Sequence, residues 1–333
     1  MANDTIRFGL GEALTLCLAA AKAAGAREET ARAIALAAVD AEAEGQPNVG
    51  LSHFVDYLDS LEAGRIDGQA LPVISKPAAA IFLSDARGGA AHTGFDQAFD
   101  DFANTARTFG LALFSQRNAY TAGSLGYYGT RLAEHGLVSI AATNGPALIT
   151  GAGATKPIYC TNPLAFVAPV AGGPPLIIDQ SSSATAFVSV RQAAAEGRSL
   201  PEGWALDSAG RPTTDPAEAM KGALLTFGGA RGANIALMVD VLAAGISGAK
   251  WSIDAGSITE GSSSPGSGLF VLALAPELID PDFSARMAAQ VERLGQGYGV
   301  HVPGLRKAES RELAAREGIS VPRAVYDRIA RRQ

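Results

Sequence analysis

Ala- and Leu-rich stretches with helical spacing cover residues 9–24 and 28–44, and the charged residues of each fall on one side. Gly25 and Gly45 follow them, where a left-handed residue ends a helix. A third helix is predicted from about Gly50 to Ala63, stopped by Gly64. Asp67-Gly68 and Pro72 mark a turn, residues 78–83 are strand-like, and 98–109 return to the helical period. From residue 111 the grammar changes. Strand-like 111–115, a polar loop over 118–123 and a helix over 125–135 come first. Short apolar runs at 137–142, Ile149, 165–169 and 176–179 follow, separated by Gly, Pro and Asn. That rhythm predicts a mixed sheet with few crossover helices. Residues 196–216 read as a loop, 217–225 and 232–242 as helices, 262–266 as a flexible link and 269–274 as a strand. The tail from about Asp280 is a charged helical pattern in two pieces. The expected class is therefore α/β (α+β), a central mixed sheet with helical N- and C-terminal pieces. Residues 1–75 and 278–333 are expected to form a helical domain, and 76–277 a sheet-containing domain that binds cofactor and substrate.

Composition narrows the field. Of 333 residues, 47% are hydrophobic and 18% charged, the balance of a folded globular chain. A net charge of −6 gives no basic face for nucleic acid. Two cysteines, Cys17 and Cys160, cannot make a disulfide framework, so a reducing cytoplasm is expected. The opening Met-Ala-Asn-Asp lacks a basic segment leading into an apolar one, so no secretory signal is expected. No apolar run of the ~18 residues that a membrane span needs is present.

Common chemical motifs are mostly excluded. Gly151-Ala152-Gly153 is followed by Pro157, which disfavours the helix a dinucleotide glycine loop must open. There is no phosphate-loop motif and no G-x-S-x-G elbow. Histidines 53, 92, 135 and 301 stand apart, without the spacing of a metal site. Phe227-Gly228-Gly229-Ala230-Arg231 precedes a helix and suits either an anion at its N-terminus or a tight turn. Pro303-Gly304-Leu305-Arg306-Lys307 offers cations on a turn or a solvated surface. Thr161-Asn162-Pro163 and Asp179-Gln180-Ser181 place hydrogen-bonding groups at the ends of strand-like runs.

Taken in order, these segments resemble the type-2 malate/L-lactate dehydrogenase family, which includes reductases of Δ1-piperideine-2-carboxylate and Δ1-pyrroline-2-carboxylate. The resemblance runs nearly end to end. Its most specific parts are Thr161-Asn162-Pro163-Leu164-Ala165-Phe166 and Pro201-Glu202-Gly203-Trp204-Ala205-Leu206-Asp207, and Gly210-Arg211-Pro212-Thr213-Thr214-Asp215-Pro216 and Phe227-Gly228-Gly229 complete the set. It implies an NAD(P)-binding fold that is not of the Rossmann type, and a homodimer. It also implies cofactor contacts from Thr121, Ala122, Gly123, Ser124 and Leu125, from Asp179, Gln180 and Ser181, from Ala230 and Arg231, and from Gly304, Arg306 and Lys307. Thr161, with Thr121 and His53, falls at the substrate. Arg231, Arg306 and Lys307 tilt the expectation toward NADP(H) over NAD(H). No metal is implied.

The positions for catalysis depart from the family pattern. Where the family has Ser-His-Gly, this chain reads Asn48-Val49-Gly50, and His53 stands in the slot of an arginine that holds substrate carboxylate. The carboxylate partner of the family's histidine falls on Ser189, and its Asn-Ser-x-His becomes Asn118-Ala119-Tyr120-Thr121. Asn48, His53 and Ser189 thus occupy the catalytic positions without the usual dyad. Reducing a ketone makes an alkoxide that wants a nearby acid, whereas reducing a protonated cyclic imine does not. The expected activity is therefore reduction of a small cyclic 2-imino acid to an amino acid. A dehydrogenase of 2-hydroxy acids such as malate, lactate or sulfolactate, with His53 as acid, is the alternative. A cofactor-binding relative without catalysis is a third.

Overall fold

The computed structural model describes residues 4–332, so Met1–Asn3 of the opening stretch lie outside the described residues. In chain order the elements are β1 (Thr5–Phe8), α1 (Leu10–Ala23), α2 (Glu28–Ala43), α3 (Leu51–Glu62), β2 (Val73–Ala78), β3 (Ile81–Asp85), α4 (Ala91–Phe109), β4 (Leu111–Ala119), α5 (Leu125–Ala133) and β5 (Val138–Thr143). Then come β6 (Leu164–Ala168), β7 (Leu176–Gln180), α6 (Phe187–Glu196), β8 (Ala205–Leu206), β9 (Pro212–Thr213), α7 (Pro216–Ala219), β10 (Ala223–Leu224) and α8 (Ala230–Asp240). The chain closes with β11 (Ser267–Leu274), α9 (Phe283–Glu292), α10 (Leu305–Glu317), β12 (Ile319–Pro322) and α11 (Arg323–Ala330).

The main sheet has seven strands in the order β2-β3-β4-β11-β5-β6-β7. Only β3 and β4 pair in parallel. This is the expected mixed sheet, and its direction has a consequence for function. β4, β5 and β7 leave the sheet at the same end at which β11 and β6 enter it. Loops from five strands therefore gather there.

α4 begins two turns earlier than its apolar period suggests, because His92-Thr93-Gly94 are poor helix formers. Gly94 is needed there: a Cβ would lie 1.9 Å from Gln116 Oε1, so only glycine lets α4 press on β4. Beyond it Phe95, Phe99 and Phe102 pack with Phe82 and Phe114 between α4 and the sheet. Burying each ring contributes about 2–3 kcal/mol. The strand-like run 78–83 is corrected to a hairpin, β2 ending at Ala78 and β3 starting at Ile81; β2 carries Pro77, and as an edge strand it tolerates the missing donor.

Two further expectations are corrected. Residues 217–225 are not one helix: Asp215 caps the short α7 through Ala217 N–H, and β10 follows. α6 occupies part of what read as featureless chain, and it ends at Gly197, where the predicted loop begins. The chain ends also meet, with β1 paired antiparallel to β12, α10 packed on α2 and α11 packed on α3.

Candidate active site

A cavity of about 600 Å³ opens at the end of the sheet where the loops gather. Its walls come from α3, the loop after β4, the turn after β5, the segment before β6, the first turns of α6 and residues 252–259.

The start of α3 is fixed from outside. Gly50, at its N-cap, has no side chain to cap with, and Leu51 N–H instead donates to the buried Glu42 carboxylate of α2 at 2.8 Å. A Cβ on Gly50 would sit 2.4 Å from that oxygen. With the helix start pinned, His53 of the first turn faces the cavity, together with Val49 of the preceding turn.

His53 has two partners. Its Nδ1 lies 3.1 Å from Asp56 Oδ2, three residues on along α3, and its Nε2 lies 3.4 Å from Thr121 Oγ1. Thr121 Oγ1 in turn donates to Tyr57 OH at 3.1 Å. The imidazole is only 15% exposed, and the Tyr57 ring lies edge-on, 4.6 Å away between centroids. Burial raises the Tyr57 phenol well above its ordinary value, so it stays protonated. Asp56 therefore supplies a carboxylate partner that the sequence reading had left vacant at Ser189. The signal was present: His53 and Asp56 stand at helical i,i+3 spacing. A ring that donates from Nδ1 to Asp56 presents Nε2 to the cavity as the proton-handling atom.

His92 is a different kind of histidine. It is fully buried, stacked on Tyr128 and edge-on to Tyr57. Burial, and after it the positive charge of His53, lower its pKa to about 3, so it stays neutral at the foot of the site.

The opposite wall is held by a buried polar knot. Asp240 accepts from Ser252 Oγ at 2.7 Å and from Asn144 Nδ2 at 3.2 Å. Asn144 Oδ1 accepts from Gly268 N, and Asn162 Nδ2 donates to Ala236 O. This knot ties α8 to the turn after β5 and the segment before β6. Thr161, next to Asn162 of this knot, lines the cavity wall.

Asn48 is exposed in the turn before α3 and lines neither this cavity nor the groove described below. Ser189 is also absent from both walls, although Phe187 and Arg191 of α6, four residues apart, line this cavity. Position 189 falls on another face of that helix. Arg191 had not been singled out in the sequence, and among the described residues it is the only Lys or Arg in the wall.

The implied cofactor positions fall in two groups. Thr121, Ala122 and Gly123 line the cavity, and Ser124 and Leu125 lead from it into α5. Asp179, at the end of β7, accepts from Ser124 Oγ at 3.1 Å and from Gly126 N at 2.8 Å, which places its charge at the N-terminus of α5. Lys307 meets the same spot: a Cβ on Gly126 would lie 3.2 Å from Nζ and 3.3 Å from Asp179 Oδ2. The Lys307 ammonium is buried, has no close hydrogen-bond acceptor, and pairs with Glu44 only at 3.4 Å. Gly304 and Lys307 also line a second groove of about 510 Å³ beyond Asp179. An underused buried cation beside a side-chain-free backbone suits a phosphate-bearing cofactor. Gln180, Arg231 and Arg306 are exposed and line neither space, as does the partly buried Ser181. Ala230 and Arg231 open α8, whose approach is tied to the residues after β7 by Phe227 N–H on Ser182 O.

The sequence model of the malate/L-lactate dehydrogenase family matches residues 10–330. A (2R)-3-sulfolactate dehydrogenase (NADP(+)) of Chromohalobacter salexigens is 35% identical over 97% of this chain and 96% of its own length. A Δ1-pyrroline-2-carboxylate/Δ1-piperideine-2-carboxylate reductase of Pseudomonas putida is 33% identical over 96% of this chain and 94% of its own. Among solved structures, Δ1-piperideine-2-carboxylate reductase from Pseudomonas syringae superimposes with a TM-score of 0.94 at 31% identity, covering 98% of this chain and 100% of that one.

Proposed function

The chain belongs to the malate/L-lactate dehydrogenase family, and on that footing we propose that it reduces a small cyclic 2-imino acid to the amino acid with NADPH. Δ1-Pyrroline-2-carboxylate or Δ1-piperideine-2-carboxylate is the substrate in this reading. The relative from P. putida is named for both, and several further relatives carry the same kind of name.

The observation that carries the reading is the charge pattern of the cavity. Its wall holds one guanidinium, Arg191, and one carboxylate, Asp56, the latter paired with His53. A cyclic imino acid protonated on nitrogen also bears one charge of each sign. Malate or sulfolactate would bring two negative charges to a wall with one permanent cation. The rest of the wall includes Val49, Pro146, Leu148, Phe187 and Ile253, an apolar setting for a small ring.

A bound reduced nicotinamide supplies the hydride to the imine carbon. The ring nitrogen of the product keeps the proton it carried as an iminium. When the imine arrives neutral, His53 delivers that proton from Nε2, while Asp56 holds Nδ1. Thr121 spends its hydroxyl hydrogen on Tyr57, so its oxygen is left as an acceptor facing the same space. The His–Asp pair means that the imine reading no longer leans on a missing acid.

NADPH is preferred over NADH in this reading because the buried Lys307 ammonium, without a close hydrogen-bond acceptor, stands beside Gly126 at the start of α5 and lines the second groove. Asp179 is occupied at the start of α5 rather than directed to a ribose. A homodimer, placed in the cytoplasm, completes the proposal. Exposed Leu237, Met238, Val241 and Trp251 offer an apolar face next to Ile253 of the cavity wall.

Stopped-flow NADPH oxidation with Δ1-pyrroline-2-carboxylate, pyruvate, oxaloacetate and sulfopyruvate tests the reading. The imino acid should turn over fastest. A faster oxo acid would transfer the assignment to 2-hydroxy-acid dehydrogenation, the activity named for the relative at 35% identity.

A further inference from the structure

We propose that Arg191 is the anchor for the substrate carboxylate, and that α6 thereby sets the preference of this site for 2-carboxylated rings. The inference deepens the imino-acid reading and rests on it. Among the described residues Arg191 is the only permanent cation in the wall of the 600 Å³ cavity, and this exposed side chain makes no ion pair or hydrogen bond with another of them. Most other arginines of the chain are committed: Arg117 to Asp85, Arg131 to Asp96, Arg311 to Asp40 and Glu44, Arg332 to Asp59 and Glu62.

The setting of Arg191 fits the role. Phe187, one helical turn earlier on the same face of α6, lies under the guanidinium at 5.8 Å and lines the cavity with it. One turn of helix therefore presents an aromatic surface for a small ring and a planar fork for its carboxylate. Arginine binds such a carboxylate through two parallel N–H donors. The Thr161 hydroxyl and the proton-handling edge of His53 belong to the same cavity. A carboxylate held at α6 leaves the adjacent C=N bond to be met by His53 and Thr121. The one carboxylate in the wall, Asp56, is engaged with His53, so it does not compete for the guanidinium.

Arg191→Met and Arg191→Lys in the full chain test the assignment, with circular dichroism to verify the fold. For Arg191→Met the KM for Δ1-pyrroline-2-carboxylate should rise about 10- to 100-fold while kcat changes by a few-fold at most. The kcat/KM preference for this substrate over bare Δ1-pyrroline, the same ring without the carboxylate, should fall by the same factor. Arg191→Lys should keep part of it. Binding of pyrrole-2-carboxylate to the NADP⁺-loaded protein, measured by calorimetry, should weaken in parallel. An unchanged KM and unchanged pyrrole-2-carboxylate affinity in Arg191→Met would overturn the proposal, as would equal losses on the ring with and without carboxylate. If the wild-type chain reduces oxo acids and no imino acid, the imino-acid reading fails on its own. Calorimetry with pyruvate then still decides the anchor: lost affinity in Arg191→Met upholds it, and retained affinity refutes it.

Discussion

His53→Gln is the substitution that separates the two chemistries open to this site. Glutamine keeps a polar group beside Thr121 but cannot deliver a proton, and the side chain it replaces is only 15% exposed and reaches no core polar group except through Thr121. The fold should therefore survive. A positioned acid is worth about 10²- to 10⁴-fold in rate, or about 2.7–5.4 kcal/mol at 1.36 kcal/mol per tenfold. For an oxo acid the alkoxide must be protonated in every turnover, so the loss should be at least about 10²-fold wherever the wild-type imidazole carries its proton. For a cyclic imine the substrate can bring its own proton. The loss should then be smaller than for an oxo acid and shrink further as the pH falls and more substrate arrives as iminium. The assay is kcat/KM from NADPH absorbance at a series of pH values for wild type and variant. A variant within about threefold of wild type at every pH would refute a proton role for His53. A rise in KM alone would make it a binding residue.

Asp56→Asn should lower kcat about 10- to 100-fold with little change in KM, because the carboxylate 3.1 Å from Nδ1 orients the ring and does not touch substrate. Steady-state kinetics showing an unaltered kcat would end that assignment. Arg231→Ala should weaken NADPH binding more than substrate binding, read by fluorescence titration; an unchanged NADPH affinity would remove Arg231 from the cofactor site. His92 makes a prediction about stability. Its folded pKa of about 3 lies below the unfolded value near 6.5, so it imposes no penalty above that pH. The penalty grows as pH falls from 6.5 toward 3, reaching about 2 kcal/mol at pH 5. His92→Phe should therefore lose less stability than wild type between pH 7 and pH 5 in urea unfolding, and identical losses would contradict the placement of His92 as a buried neutral ring.

Much of the scaffold was legible because its helices bury one apolar stripe. α1, α2 and α3 begin and end within about a residue or two of the expected positions. What escaped the sequence follows from tertiary contacts. α4 hides its first two turns behind Gly94, which is there for the approach of Gln116, and the edge position of β2 makes Pro77 acceptable. The four-residue β1 pairs with β12 more than three hundred positions away, a contact no local window reports. At the site, family spacing drew attention to Asn48 and Ser189, yet neither reaches the cavity. The carboxylate beside His53 was instead one helical turn away in plain sequence, and Arg191 lay on a helix that had not been foreseen. Positions that matter through a pinned helix start, as His53 does through Glu42 and Gly50, become visible only when both helices are in place.

The central claim, reduction of a cyclic 2-imino acid, is tested most directly by the product itself. Δ1-Pyrroline-2-carboxylate incubated with the enzyme and NADPH deuterated at the transferable position of C4 should give one proline per NADPH consumed, with deuterium at the α-carbon by mass spectrometry. NADPH consumption with oxo acids alone, and no deuterated proline from the imino acid, would contradict the account.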